Sequence, residues 1–184
     1  PAPSNWAHEG IDYCVRHGLM SGFDATTFSP DTVSTRAQIV MILYNLSGDT
    51  TDYSKYYVPF TDVRPSTWYY NAVAWGYDKD IVAGMSTTTF APDGLITREQ
   101  MATIFGRYAL KQGIELPKDA APAQSFPDAD KISEYAREFV ELMRIAGILN
   151  GYEDGTFRPQ GNATRAEAAK LFSLFLSITD KLVK

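Results

Sequence analysis

A threefold internal repeat constrains the fold of this 184-residue chain more than any other feature of its sequence. Arg36, Arg98 and Arg165 each follow a threonine, and a chain aligned on these arginines matches itself without a gap. The matched positions include Gly22, Gly84 and Gly151; Thr27, Thr89 and Thr156; Phe28, Phe90 and Phe157; and Pro30, Pro92 and Pro159. Because so many identities in register do not arise by chance, the chain is built from three similar structural units.

Polar segments without apolar periodicity separate the units and predict their boundaries. We expect one module of three repeats, at residues 1–47, 58–112 and 125–184. The second repeat opens with a segment that contains Phe60 and Asp62, and the third with one that contains Phe126 and Asp128. Residues 1–5 stand at that place in the first repeat, so we expect it to be N-terminally incomplete and the chain to be a fragment of a longer exported protein.

Apolar periodicity predicts a helix, a loop and a second helix in each repeat. The first helix is expected at about residues 6–17, 68–79 and 135–146, with an inward stripe that starts at the aligned aromatic residue and includes Cys14 and Val15. The second helix carries apolar residues at i, i+3, i+4 and i+7, such as Ile39 to Leu46. One repeat alone would bury a marginal core. We therefore expect a mostly α fold, a pseudo-threefold bundle of helix-loop-helix repeats with the second helices at its centre.

The composition argues against several classes of function. Seventeen Lys and Arg residues stand against 22 Asp and Glu, the net charge is −5 and no basic block occurs, which argues against a nucleic-acid partner. No apolar run reaches the roughly 18 residues of a membrane span, so we expect no membrane insertion. One cysteine and two histidines leave little material for a catalytic or metal site, and we predict neither a cofactor nor a metal.

The three threonine-arginine segments fit helix starts. Each threonine has Gln or Glu three residues later, the pattern of a capping box. This explains the threonine but not the arginine, because a cation at the first helical position faces the positive end of the helix dipole at a cost of about 0.3–1 kcal/mol. Two interpretations stay open. The arginine pairs within its repeat, for example with Asp31 or Asp93, or it binds a carboxylate or phosphate beside the helix-start N–H groups.

The aligned aromatic residues Trp6, Trp68 and Tyr135 also allow two interpretations. Their rings would suit stacking on a sugar, but core packing is the commoner role of an aromatic residue at such a position. We expect core packing and keep sugar binding as the alternative.

In these residues the chain resembles the S-layer homology domain family. The third repeat carries the motif most completely, in residues 147–159 (GILNGYEDGTFRP) and 164–167 (TRAE). The second repeat keeps Phe60, Asp62, Val63, Trp68 and residues 97–100 (TREQ), and the first keeps Trp6, Gly18, Leu19, Gly22 and residues 35–38 (TRAQ). The resemblance covers nearly the whole chain.

The resemblance implies a non-catalytic, extracellular module, monomeric when isolated, that anchors a larger bacterial surface protein to the cell wall. Its partner would be an anionic secondary cell-wall polysaccharide, often bearing pyruvylated N-acetylmannosamine, bound in grooves between neighbouring repeats. The ligand-binding residues that it implies are Arg36, Arg98, Arg165, Asp62, Asp128, Gly18 and Gly147, to which we add Trp6 and Trp68 as candidate stacking residues. Asp80 replaces the family glycine of the second repeat, so we expect the groove that uses Asp80 to bind weakly or not at all.

Two other functions compete with anchoring to a polysaccharide. An enzyme could use Cys14 with His17 on the same helix, but Cys14 falls on the inward face, where a small buried residue is the simpler interpretation. The other alternative is a protein–protein or peptidoglycan-binding surface assembly module, in which salt bridges hold the arginines.

Overall fold

A computed structural model describes residues 5–22, 27–120 and 124–179, and the statements below refer to these residues. Within them lie six α-helices, in three pairs, and two single-turn 3-10 helices. The helices are α1 (Asn5–Arg16), α2 (Arg36–Ser47), α3 (Tyr70–Asp78), α4 (Arg98–Lys111), α5 (Glu134–Ile145) and α6 (Arg165–Thr179). The described part of the chain contains no strand, only isolated bridges, so the mostly α prediction is confirmed.

All three second helices begin with the predicted capping box. In α2 the backbone N–H of Gln38 donates to the Thr35 hydroxyl at 3.3 Å, and the Thr35 N–H donates to the Gln38 side chain at 3.0 Å. The same reciprocal pair joins Thr97 to Gln100 and Thr164 to Glu167. The threonine and the Gln or Glu therefore satisfy helix-start groups that would otherwise lack partners.

The second helices supply much of the core. The ring of Phe105 on α4 lies 4.5 Å from that of Phe172 and 5.6 Å from that of Phe175, both on α6, and all three residues are buried. On α2, Ile39 and Leu43 are also buried, and this helix packs against α4. A rotation axis relating the three repeats stays a prediction.

Each first helix packs on the second helix of the preceding repeat, and the contacts form a closed cycle. Helix α3 packs on α2, α5 on α4 and α1 on α6. Antiparallel bridges join the same repeats, at Thr35 with Leu95, Thr97 with Asn162, and Val33 with Thr164. In α1 the approach is close enough to favour glycine, because a Cβ on Gly10 would lie 3.0 Å from the Cα of Lys170.

The aligned aromatic residues do not pack in the core, contrary to our expectation. Trp6 is 50% exposed, Trp68 59% and Tyr135 49%. Trp6 and Tyr135 are the second residues of α1 and α5, and Trp68 lies two residues before α3 begins. The rest of the stripe in α1 is partly as predicted, since Cys14 is buried but Val15 is exposed. Among the described helices, none has the length and apolarity that crossing a membrane requires.

Candidate functional site

The three aligned arginines bridge the repeats. Each extends from the start of its helix to a loop of the next repeat in the cycle, where its Nε and Nη2 donate to backbone carbonyls. The acceptors are Phe90 (2.9 Å) and Ala83 (2.9 Å) for Arg36, Phe157 (2.7 Å) and Asn150 (3.0 Å) for Arg98, and Phe28 (2.9 Å) and Ser21 (2.6 Å) for Arg165. Each guanidinium also lies over the phenylalanine ring of that loop, with Cζ 4.4–5.0 Å from the ring centroid.

These contacts correct the first interpretation of the arginine, whereas the binding of an anion by the arginine stays a prediction. Neither Asp31 nor Asp93 pairs with an arginine among the described residues, so the proposed ion pairs within a repeat are wrong. The helix-start N–H groups are also engaged: that of Arg36 donates to the Gly94 carbonyl at 2.9 Å and that of Ala37 to Pro92 at 3.0 Å. Loop carbonyls thus supply the negative partial charge that a cation at a helix start needs.

Asp62 and Asp128 hold the loops that receive the arginines. The two carboxylate oxygens of Asp62 accept the N–H groups of Phe90 at 2.9 Å and Ala91 at 2.7 Å. Those of Asp128 accept the N–H groups of Phe157 and Arg158, both at 2.8 Å. Burial opposes ionisation of Asp128, but these hydrogen bonds outweigh it and lower its pKa. A direct contact of either aspartate with a ligand stays a prediction.

The second residue after each first helix adopts left-handed backbone, whichever residue type stands there. The φ angle is +67° at Gly18, +72° at Gly147 and +55° at Asp80. Gly18 faces open space, whereas a Cβ added to Gly147 would lie 3.5 Å from the Cβ of Ala120. Asp80 accepts a hydrogen bond from Lys111 Nζ at 3.0 Å, so a lysine on α4 offsets the charge that we expected to repel an anionic sugar.

A groove of about 340 Å³ lies beside Arg36. Its lining comes from all three repeats: Arg36, Ala83, Gly84, Met85, Gln100, Thr103, Ile104, Arg107 and Tyr135. It contains two arginines and no carboxylate. Arg36 is only 5% exposed, and its Nη1 has no hydrogen-bond partner among the described residues. The groove therefore offers an anion a donor that the fold leaves unused.

Tyr135 is fixed in this groove by a buried carboxylate on α4. Its hydroxyl donates to Glu99 Oε1 at 3.0 Å. Glu99 also accepts the Ser133 N–H at 3.0 Å, the Ser133 hydroxyl at 2.8 Å and the Gln160 amide at 2.8 Å. Burial and the hydrogen bond to Glu99 raise the pKa of Tyr135 to about 12, so the hydroxyl stays protonated as a donor to Glu99 and the ring forms the groove wall.

The surroundings of Arg98 differ in one decisive respect. Its Nη1 donates to Glu167 Oε1 at 2.9 Å, and the Tyr152 hydroxyl donates to the same oxygen at 2.6 Å. Nε and Nη2 are bound to carbonyls, so every guanidinium nitrogen of Arg98 has a partner. Glu167 aligns with Gln100, the neutral residue beside Arg36. Arg98 is thus already paired with a carboxylate, whereas Arg36 is not.

Comparison with known proteins identifies the repeats. The model of the S-layer homology domain matches residues 1–40, 59–102 and 125–169. This chain belongs to the S-layer homology domain family. The matched segments agree with the three tandem repeats that the sequence predicted. Within the part of this S-layer homology module that the structure describes, no cluster of His, Cys, Asp and Glu could hold a metal ion.

Curated relatives carry a similar module within much longer proteins. An endoglucanase of a Bacillus species is 32% identical over 178 residues, which cover 94% of this chain and 18% of the relative. A cellulosome-anchoring protein of Acetivibrio thermocellus is 29% identical over 158 residues, 84% of this chain and 34% of the relative. The surface-layer 125 kDa protein of Lysinibacillus sphaericus is 28% identical over 189 residues, 98% of this chain and 15% of the relative.

Sequence reasoning missed Glu99 and Arg107, which occur in one repeat of this S-layer homology module only. Glu99 stands where the other repeats have Ala37 and Ala166, and Arg107 stands where they have Asn45 and Leu174. Both residues differ in type from the residues aligned with them, and this difference is visible in the sequence. A difference at one position, however, does not show whether the side chain faces a groove or solvent.

Proposed function

We propose that this S-layer homology module anchors a larger protein to the bacterial cell wall and catalyses no reaction itself. The family match and the surface-layer and cellulosome-anchoring relatives support a location at the cell surface. The endoglucanase resembles this chain over only 18% of its own length, so that similarity gives no reason to assign the module a catalytic activity.

The proposed ligand is an anionic cell-wall polysaccharide of the secondary type, with a pyruvyl carboxylate bound first in the groove at Arg36. The observation that carries this proposal is the groove lining of two arginines without a carboxylate, together with the unpaired Nη1 of Arg36. A guanidinium that already has two fixed hydrogen bonds is held in place, so it can bind a carboxylate oxygen with little further loss of side-chain entropy.

The three grooves are not equivalent in this proposal. Glu167 already pairs with Arg98, so a ligand carboxylate would have to displace it and we expect weak binding there. Near Arg165 the aligned residue is the neutral Gln38, which leaves that groove closer in chemistry to the one at Arg36. Several weak grooves on a repeating polymer still anchor firmly, because each bound unit raises the effective concentration of the next.

The remaining predicted residues have supporting roles in this proposal. Tyr135, Trp6 and Trp68 present half-exposed rings at aligned positions, which suits stacking on a sugar face. Asp62 and Asp128 act by shaping the loops that hold Arg36 and Arg98. Gly18 and Gly147 follow the first helices in left-handed backbone, and the missing side chain of Gly18 keeps space free beside its loop.

The test is a pull-down of the 184-residue module on purified cell-wall sacculi of the organism that produces it. We expect binding to native sacculi and loss of binding once the polysaccharide has been removed chemically. Undiminished binding to the stripped sacculi would overturn the polysaccharide as ligand and indicate peptidoglycan or a wall protein instead.

A reciprocal pair of substitutions tests which groove is used. Gln100→Glu places a carboxylate where Glu167 lies in the other groove and preserves the capping box, so the helix should remain intact. Because a charge-assisted hydrogen bond contributes about 1.5–3 kcal/mol, affinity should fall about 10- to 100-fold. Glu167→Gln is the matched control and should leave binding unchanged or strengthen it. Equal affinity of wild type and Gln100→Glu would refute the assignment to the groove at Arg36.

A further inference from the structure

Arg107 is a second guanidinium in the groove at Arg36, and no carboxylate pairs with it among the described residues. It follows Thr103 and Ile104 by four and three residues on α4, so all three side chains lie on the helix face that lines the groove. Its guanidinium lies 5.5 Å from the ring centroid of Phe139 on α5. In the part of the chain that the structure describes, no hydrogen bond or ion pair engages it.

The neighbouring acids are committed to other groups. Glu99 accepts hydrogen bonds from Ser133, Tyr135 and Gln160. Asp62 accepts two backbone N–H groups of a loop, and Asp80 pairs with a lysine. Asp62 acts electrostatically on Arg36, but neither cation of the groove forms an ion pair among the described residues, so a bound anion would stabilise both.

The two arginines offer different binding geometries. Arg36 is nearly buried and has one unused nitrogen, Nη1, so it can bind a single oxygen of one anionic group. Arg107 is partly exposed, and none of its guanidinium N–H groups donates a hydrogen bond to a described residue. This suits bidentate binding of a carboxylate or a phosphate. The groove, at about 340 Å³, has room for more than one small anionic group.

We infer that the ligand unit bound in this groove carries two anionic groups, one on Arg36 and a second, a carboxylate or a phosphate, on Arg107. This inference rests on the proposed function, because it assumes that Arg36 binds the first group. The inference also predicts that this groove differs in specificity from the grooves at Arg98 and Arg165, since Asn45 and Leu174 occupy the place of Arg107 in the other two repeats. One module would then recognise two kinds of site on the same polymer.

Isothermal titration calorimetry with three synthetic disaccharides tests this inference on the complete 184-residue module. All three share a pyruvylated N-acetylmannosamine. The neighbouring unit is a neutral N-acetylglucosamine in the first, a glucuronic acid in the second and a phosphorylated N-acetylglucosamine in the third. The second and third probes distinguish a carboxylate from a phosphate as the source of the extra charge.

We expect at least one doubly charged disaccharide to bind the wild type about tenfold more tightly than the neutral-neighbour disaccharide. Arg107→Gln should abolish that difference, because it should weaken binding of the doubly charged disaccharide about tenfold more than binding of the neutral-neighbour disaccharide. Arg16→Gln, which removes an equal charge from an exposed position on α1 outside this groove, should change neither affinity.

Two results would overturn the inference while leaving the proposed function intact. One is equal wild-type affinity for all three disaccharides. The other is an equal loss for all three in Arg107→Gln, which would mean that both arginines bind the same anionic group. Failure of the neutral-neighbour disaccharide to bind the wild type at all would instead overturn the proposed function, and this inference with it.

Discussion

Replacement of Asp128 separates a structural role from a ligand contact at a residue that the family resemblance assigns to the ligand. Its carboxylate accepts the N–H groups of Phe157 and Arg158, both at 2.8 Å. Asp128→Ala leaves both donors without an acceptor, one in buried and one in partly buried surroundings. At about 1–3 kcal/mol for each donor, we expect a loss of about 3–4 kcal/mol in the free energy of unfolding. For a chain of this length the melting temperature should fall by about 6–16 °C.

The assay is urea unfolding followed by far-UV circular dichroism, with binding to sacculi measured per folded molecule. Asp128→Asn keeps one acceptor oxygen and should lose about half as much stability as Asp128→Ala. Asp130→Ala removes an exposed carboxylate two residues away and serves as the matched control with an unchanged midpoint. The reasoning is refuted if Asp128→Ala keeps the wild-type midpoint yet loses binding to sacculi, because that pattern belongs to a ligand residue.

The same aspartate predicts a pH dependence. Hydrogen bonds lower the pKa of Asp128 in the folded state, despite its burial, below the value of about 3.9 that it has when unfolded. Its contribution to stability is therefore complete above the unfolded pKa and is lost as the pH falls through the folded pKa. Between pH 5 and pH 2 the stability gap between wild type and Asp128→Asn should narrow. A gap that stays constant over this range would contradict the assignment.

Three further predictions concern single buried positions. Gly10→Ala should lower the stability by about 1–3 kcal/mol in thermal denaturation, because the added Cβ would lie 3.0 Å from the Cα of Lys170; a stabilised variant would show that α1 and α6 pack less closely. Glu99→Gln should lower the free energy of unfolding by about 2–4 kcal/mol, since an amide offers one acceptor oxygen to four donors. Unchanged stability would contradict the burial of this group. Burial raises the pKa of Cys14 to about 12, so its thiol should react with Ellman's reagent at pH 8 only after unfolding; fast labelling of the folded module would refute this.

Local rules account for the features that the sequence predicted well. The capping boxes at Thr35 and Thr97 depend on residues within one turn, and the second helices follow from an apolar stripe that any buried helix needs. The exposed position of Trp6 could not be predicted in the same way. Periodicity indicates which face of α1 points inward, but how much of that face is covered depends on its packing against α6, a helix of a distant repeat.

The bridging arginines mark a second limit of sequence reasoning. The cost of a cation at a helix start showed that Arg36 needed a negative partner, and acids of the same repeat were the available candidates. The partners are instead carbonyl oxygens of Phe90 and Ala83, which every residue type possesses and which therefore leave no trace in the sequence. Only the closed cycle of repeats brings them to the arginine.

One sequence position determines both the capping of the second helix and whether the arginine in the adjacent groove is paired with a carboxylate. Gln100 and Glu167 both complete a capping box, so the exchange of one for the other changes the stability of a helix start little. The same side chain decides whether the arginine of the preceding repeat is paired: Glu167 binds Arg98 Nη1, whereas Arg36 beside Gln100 keeps Nη1 unused. Because two carbonyl contacts hold each arginine in either case, we expect such an exchange to preserve the fold and to change only the affinity for an anion. On our proposal, the residue three positions after the threonine therefore tunes each groove separately without disturbing the cycle of bridges that holds the repeats together.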